Sequence, residues 1–325
     1  MRFAAGLWLA ASLSACAPVA ELPLAPVPAG PGIGIDAAPV PLDPTEPERM
    51  RIGRFAYAGG VHLTSRQTSR LHGLSDLKVT PDGALVAASD QSDLLRARVV
   101  LDGAGRLVGL ADARLTAMRD AEGRDLYVGG QREYDSEGVA QLANGDLLLS
   151  FEQHDRILRF PAAGGPPVAA PAPQIAYTHN KSMEGLAADP AGGPDAYRTA
   201  IEATGQTFFC RLSSGCLPGF TIDLEGLELT SLDILPDGRT AALLRGYSVV
   251  GGNRVKLKLL DRQGREIDAM TLVRPMTVDN FEGVAAVPGP RGTIRFYLIS
   301  DDNFGTFNGA PTDQRTLLLA FDWRP

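Results

Sequence analysis

The sequence predicts an all-β protein, a β-propeller of six antiparallel blades whose ring is closed by pairing the two ends of its globular part. Three observations carry this. One hairpin pattern recurs five times along the chain. The apolar runs between turns are only four to six residues long, and turn dipeptides punctuate them. Beyond the N-terminal segment no stretch sustains a 3.6-residue apolar period. Antiparallel units of roughly 40 to 60 residues repeated in this way mark a propeller rather than a sandwich.

Residues 1–15 read as an export signal. Arg2 supplies the positive start, and Phe3 to Leu13 is an apolar stretch too short to span a bilayer stably. It runs into Leu13-Ser14-Ala15-Cys16, which looks like a bacterial lipobox, so Cys16 is the expected lipidation site and first mature residue. Ala17 rather than Asp after the Cys fits transport to the periplasmic face of an outer membrane. The membrane is then engaged through the lipid anchor and not through a spanning helix. Residues 16–49 follow as a tether: nine prolines fall between 17 and 49 with few aromatics, a composition that favours extended chain.

Residues 50–325 form the expected globular domain. Among its runs are Phe55-Ala56-Tyr57-Ala58, Leu85 to Ala88, Arg98 to Leu101, Leu147 to Phe151, Ile157 to Phe160, Val255 to Leu260 and Leu317 to Phe321. The turns Asp82-Gly83, Asp102-Gly103, Asn144-Gly145, Asp237-Gly238 and Gln263-Gly264 separate such runs. Arg114 to Ala121 reads as a brief helix or a long loop. Abundant Gly (36) and Pro (24) suit many tight turns. Residues 50–70 and Leu317 to Phe321 are expected to build the sixth, closing blade.

A formal charge of −7 argues against a nucleic-acid surface, which needs clustered Lys and Arg. It is compatible with a cation pocket. Cys210 and Cys216 flank a plausible hairpin turn, and export makes a short-loop disulfide between them the expectation over two free thiols.

The repeat carries acids at fixed places. Glu137, Glu184 and Glu282 align, each followed by Gly and an apolar residue, with Ser75 and Thr230 in the same register. In a propeller the innermost strands flank the axis, so these side chains should converge on one mouth. Glycine after each acid would let the backbone crowd the axis. A second set, Asp90, Glu152, Glu202 and Asp301, ends the neighbouring strands near the same rim. Converging carboxylates repel one another unless a hard divalent cation, with Ca²⁺ the first choice, compensates them. The structural alternative is that they cap strand-entry amides or pair with Arg245 or Arg132.

The units Ser-Glu-Gly-Val-Ala (136–140), Met-Glu-Gly-Leu-Ala (183–187) and Phe-Glu-Gly-Val-Ala (281–285) resemble the bacterial family called esterase-like activity of phytase. The ending Leu298-Ile299-Ser300-Asp301-Asp302-Asn303-Phe304 and the closing Gln314 to Phe321 fit it too. The resemblance spans roughly residues 50–325 and implies a phytase-like propeller in an exported protein, with ester or phosphoester hydrolase activity. The Asp-Asp-Pro-Ala-Ile-Trp and Asn-Asn-Phe-Asp-Ile-Arg stretches of true β-propeller phytases are absent. So is a dense basic patch, Lys occurring only at 78, 181, 256 and 258.

The chemistry expected is therefore metal-assisted hydrolysis of a small ester or phosphoester. Glu137, Glu184, Glu282 and Asp301 would hold the metal, with His72 or His154 as general base. Arg132, Arg245, Asp90, Glu152, Glu202, Asp302 and Asn303 would line the substrate subsite, arginine being suited to an anionic group. A serine nucleophile has no Gly-x-Ser-x-Gly elbow to sit on. The non-enzymatic alternative is an envelope lipoprotein that binds a ligand or partner protein in the propeller funnel.

Overall fold

The computed structural model describes residues 32–235, 237–307 and 310–325. Cys16 and the export signal lie outside the described residues. Five blades surround one axis, one fewer than the sequence predicts. Blade one comprises Leu74–Val79, Ala84–Ser89, Asp93–Leu101 and Leu107–Ala117. Blade two is Ser136–Gln141, Leu147–Phe151, Arg156–Phe160 and Val168–Ala170. Blade three is Gly185–Ala188, Ala196–Ala200, Gln206–Arg211 and Gly215–Thr221, and blade four Glu228–Ile234, Thr240–Ser248, Gly252–Leu260 and Glu266–Leu272.

The missing sixth blade is part of the fifth. Asn280–Pro288 and Ile294–Asp301 need two more strands, and they take Leu317–Trp323 and then Phe55–Thr64 from the far end of the domain. Leu317 opposes His62 and Trp323 opposes Phe55, so the chain ends do close the ring as expected. Phe55, Phe281, Phe296, Phe321 and Trp323 bury their rings at the junction with blade four. That apolar area, of the kind worth about 25 cal/mol per Å² removed from water, opposes opening of the ring.

The turn dipeptides behave as their chemistry dictates. Gly83, Gly145, Gly238 and Gly264 all take φ near +85°, where a side chain is strained. Asp102 and Asp261 make the same turn, each accepting backbone N–H bonds from residues two and four further on at 2.9 Å. Arg114 to Ala121 is neither helix nor loop at its start, because Leu107–Ala117 runs on as the outer strand of blade one.

The proline-rich segment is not free along its whole length. Asp36–Pro39 pairs antiparallel with Phe55–Thr64, Ile33 and Ile35 pack on the core, and Leu42 is fully buried. Arg51–Ile52 adds to the other end of the same strand. Cys210 and Cys216 are bonded to each other as cross-strand partners. Among the described residues no helix is long and apolar enough to cross a membrane.

The five inner strands form a closed ring of neighbours. Glycine makes this approach possible. A Cβ on Gly138 would sit 2.5 Å from the Glu184 carbonyl oxygen, and one on Gly283 2.8 Å from Asp76 Cα. Gly138→Ala should therefore destabilise the fold by about 1–3 kcal/mol, the usual range for overpacking. Gly103→Ala, where a Cβ meets nothing within 4 Å, should stay within about 0.5 kcal/mol. Chemical denaturation of both variants checks this, and equal stabilities would contradict it.

Candidate functional site

Inner strands begin, and second strands end, on one face of the ring. Four inner strands carry a register shift at the aligned position: between Leu74 and Asp76, Ser136 and Val139, Leu229 and Ser231, and Phe281 and Gly283. A bulge re-aims the side chain it carries. At Glu137 and Glu282 it coincides with the acid, and Glu184 stands just before its strand. The repeat thus encodes a position of irregular backbone as well as a residue type.

Two groups of three carboxylates offer oxygens all within 4.8 Å of one another: Asp135, Glu137 and Glu152, and Glu152, Glu184 and Glu202. Glu137 and Glu184 occupy the places expected of them. Glu152 and Glu202, anticipated at a substrate subsite, join them, and Asp135 was missed. Its signal was available, since it lies two residues before Glu137.

Burial pushes the Glu137 carboxyl well above the usual range, and Asp135 and Glu152 push it further. Glu184 is raised in the same way by burial, then by Glu137 and Glu202. Burial brings Glu152 to about 7, although the Ser182 N–H donates to its Oε1 at 2.9 Å. Glu202 is raised by burial, with Lys181 and Arg245 pulling the other way. Its Oε2 is buried without a hydrogen-bond partner, as is Oδ1 of Asp90. Orphaned buried oxygens of this kind call for an ion or water between them.

Glu282 is engaged differently. Its Oε1 lies 3.1 Å from Arg245 Nη2 and accepts from Asn280 Nδ2 at 2.8 Å. Burial still raises it, against Arg245. Arg245 is thus partnered by a repeat carboxylate, while its Nε remains buried and unsatisfied. Asp301 accepts from Asn280 Nδ2 at 3.1 Å and from the Asn303 N–H at 2.7 Å, and burial with Glu282 pushes it to about 8. Burial and Asp301 also raise Asp90 well above its ordinary value. Glu282 and Asp301 therefore stand beside the two carboxylate groups rather than within them.

His72 and Asp302 form a dyad at the rim. His72 Nδ1 lies 2.6 Å from Asp302 Oδ2, which also accepts from Thr316 Oγ1 at 2.9 Å. Asp302 Oδ1 accepts from the Gly73 N–H. Burial disfavours the Asp302 charge, but the His72 hydrogen bond leads the contacts that hold its carboxyl below the usual range. The same bond raises His72. His154 is elsewhere: it is exposed, 3.8 Å from Glu133, over a shallow hollow with Gln153, Asp155 and Tyr177. Arg132 belongs to the short helix Gln131–Tyr134, and its side chain lies outside the described residues.

Beneath the acids the axis is plugged. Lys78 Nζ donates to Asp76 Oδ2 at 2.9 Å and to the carbonyl oxygens of Leu232 and Val284, both at 3.2 Å. Asp76 also accepts from Ser231 Oγ at 2.7 Å and the Val139 N–H at 2.9 Å. This buried pair ties blades one, two, four and five together and leaves a funnel closed at its base. Beside the funnel a cavity of ≈ 900 Å³ opens between blades four and five, its walls including Arg245, Glu282, Asn303, Arg274 and Arg315.

The phytase-like family, described as "esterase-like activity of phytase", matches residues 69–304. The chain belongs to that family. No curated protein matches it. Among solved structures it is similar to a protein given the provisional name gluconolactonase (14% identity, 92% of this chain and 94% of that one, TM-score 0.47). It is also similar to the allergen Mala s 1 of Malassezia sympodialis (12%, 88% and 92%, TM-score 0.44). A third is virginiamycin B lyase from Staphylococcus aureus (10%, 83% and 77%, TM-score 0.39).

The funnel carboxyls Glu137, Glu152, Glu184, Glu202, Glu282 and Asp301 of this family member have folded-state pKa values above their unfolded ones. The folded protein therefore holds more protons in the window from the ordinary carboxylate range up to about 8, the value of Asp301. Stability is then present at low pH within that window and lost as pH rises through it. With chelator, the melting temperature should fall by roughly 5 °C between about pH 5 and pH 8. Saturating Ca²⁺ should reverse most of that fall. A melting temperature indifferent to both would contradict the reading.

Proposed function

We propose that the funnel is the active site of an exported hydrolase, tethered through a lipid on Cys16, that uses a divalent cation to cleave a small ester or phosphoester. One observation carries this reading: the two carboxylate groups sharing Glu152 are half-buried to buried, mutually repelling and supplied with an orphaned oxygen on Glu202. Oxygen-only donors of this kind suit a hard cation such as Ca²⁺. Asp135, Glu137, Glu152, Glu184 and Glu202 would hold it. When bound, it supplies Lewis-acid polarisation of a carbonyl or phosphoryl oxygen.

The chain's own residues supply the rest. His72 is the general base: Asp302 fixes its Nδ1, leaving Nε2 to accept a proton from water. Asp302 is a positioning residue, acting through His72. Arg245 holds Glu282 and keeps it from joining the cation-binding oxygens. The cavity beside Glu282 receives the substrate, with Arg274 and Arg315 in its wall to meet an anionic group.

Hydrolysis of p-nitrophenyl esters and phosphates by the purified protein tests this. Chelator and Glu184→Gln should each abolish activity, with Ca²⁺ restoring only the chelated wild type. His72→Gln should lower kcat by about 10²-fold, a typical contribution of general base catalysis. His72 works when neutral, so its acid limb should lie above the ordinary histidine value, and Asp302→Asn should move that limb to lower pH. An inert protein that binds an envelope partner would instead support a non-catalytic role.

A further inference from the structure

We propose that the funnel face lies against the lipid bilayer, with the tip of one hairpin of blade four dipping into it. Two independent features converge on that face. The first is the hairpin between Thr240–Ser248 and Gly252–Leu260, which extends past Arg245 and so stands proud of the funnel mouth. Its tip carries Val249 at 91% and Val250 at 98% exposure, beside Tyr247 at 64%. Adjacent valines at a loop tip gain nothing from water and are suited to the acyl boundary of a membrane.

Basic residues flank the tip. Arg254 is exposed two residues past Gly252, and the Arg274 guanidinium lies against Gly252, where an added Cβ would meet its Nε at 3.2 Å. Neither has a side-chain partner among the described residues. An apolar tip with guanidinium groups at its base matches the order of acyl chain and phosphate headgroup. This charge pattern favours lipid over a protein partner as the occupant.

The second feature is the direction of the N-terminal segment. Asp36 opposes Thr64, at the funnel end of its strand, and Gly32 bridges Arg114 near the funnel end of blade one. Gly32, where the described residues begin, therefore lies on the funnel side. Fifteen residues lie between Cys16 and Gly32, a reach of at most about 55 Å over the sixteen steps when fully extended. An anchor at Cys16 would hold the domain by that side, and the valine tip would fix its tilt. The ≈ 900 Å³ cavity opens beside the tip, with Tyr247, Gly252 and Arg274 in its wall, so a substrate could enter it from the lipid. The inference rests on the lipid anchor proposed above and not on hydrolysis.

The test uses Val250→Trp in the full-length lipidated protein, reconstituted on vesicles of phosphatidylethanolamine and phosphatidylglycerol with or without brominated acyl chains. Trp8 is lost with the signal, and Trp323 is buried on the side of the ring away from the funnel. Leu217→Trp, at a position 71% exposed on the outer strand of blade three, is the reference. Brominated lipid should remove more than half of the emission added by Val250→Trp and leave that added by the reference unchanged. Equal quenching in both variants, or none in Val250→Trp, would overturn the proposal, whether water or protein covers the tip. Activity on soluble esters is a separate readout, so failure of the hydrolase reading and failure of this one are distinguishable.

Discussion

The close approach of five inner strands at one axis is the constraint from which the rest of this structure follows. Strands can crowd that tightly only where side chains are missing or turned aside, so Gly138, Gly185 and Gly283 stand against the neighbouring blade. The bulges turn the preceding residues into the mouth. Acids in those places have nowhere to point but toward one another.

Two solutions to buried charge coexist along the axis. Lower down, Asp76 and Lys78 neutralise each other within a satisfied hydrogen-bond network, although burial still holds Asp76 at about 6. Such a pair contributes little net stability by itself, but losing one partner leaves an uncompensated buried charge. At the mouth, Glu282 has Arg245 at 3.1 Å, while Glu202 meets Lys181 only at 3.9 Å, and that lysine lies closer to Glu228. The charges at the base of the axis are thus satisfied within the protein, whereas at the mouth buried oxygens of Glu202 and Asp90 have no hydrogen-bond partner.

Much of this was legible in the sequence. The repeated Glu-Gly pair gave the register of the inner strands, and the glycine was readable because only close backbone approach explains it. The apolar Leu317–Trp323 run signalled ring closure. The blade count was not legible, because the third strand of blade five follows a long insertion after Asp301 and its fourth lies at the other end of the domain. Asp36–Pro39 was hidden by its lying in the proline-rich segment and ending in Pro39, a residue tolerated on a sheet edge. The role of Lys78 depends on contacts across the axis that no local pattern records, whereas pairing of Arg245 with a repeat carboxylate was the sequence's own structural alternative. His154 differs from His72 only in what the fold brings near it: Glu133 in one case, Asp302 in the other.

The central claim is that Glu137, Glu152, Glu184 and their neighbours are gathered to hold a cation, and anomalous diffraction reads this directly. Crystals soaked in Ca²⁺ or Mn²⁺ should show an anomalous peak in the funnel, about 2.3–2.6 Å from several of these carboxylate oxygens for Ca²⁺. A funnel without such a peak, in crystals whose carboxylates stand where this structure places them, would contradict the account.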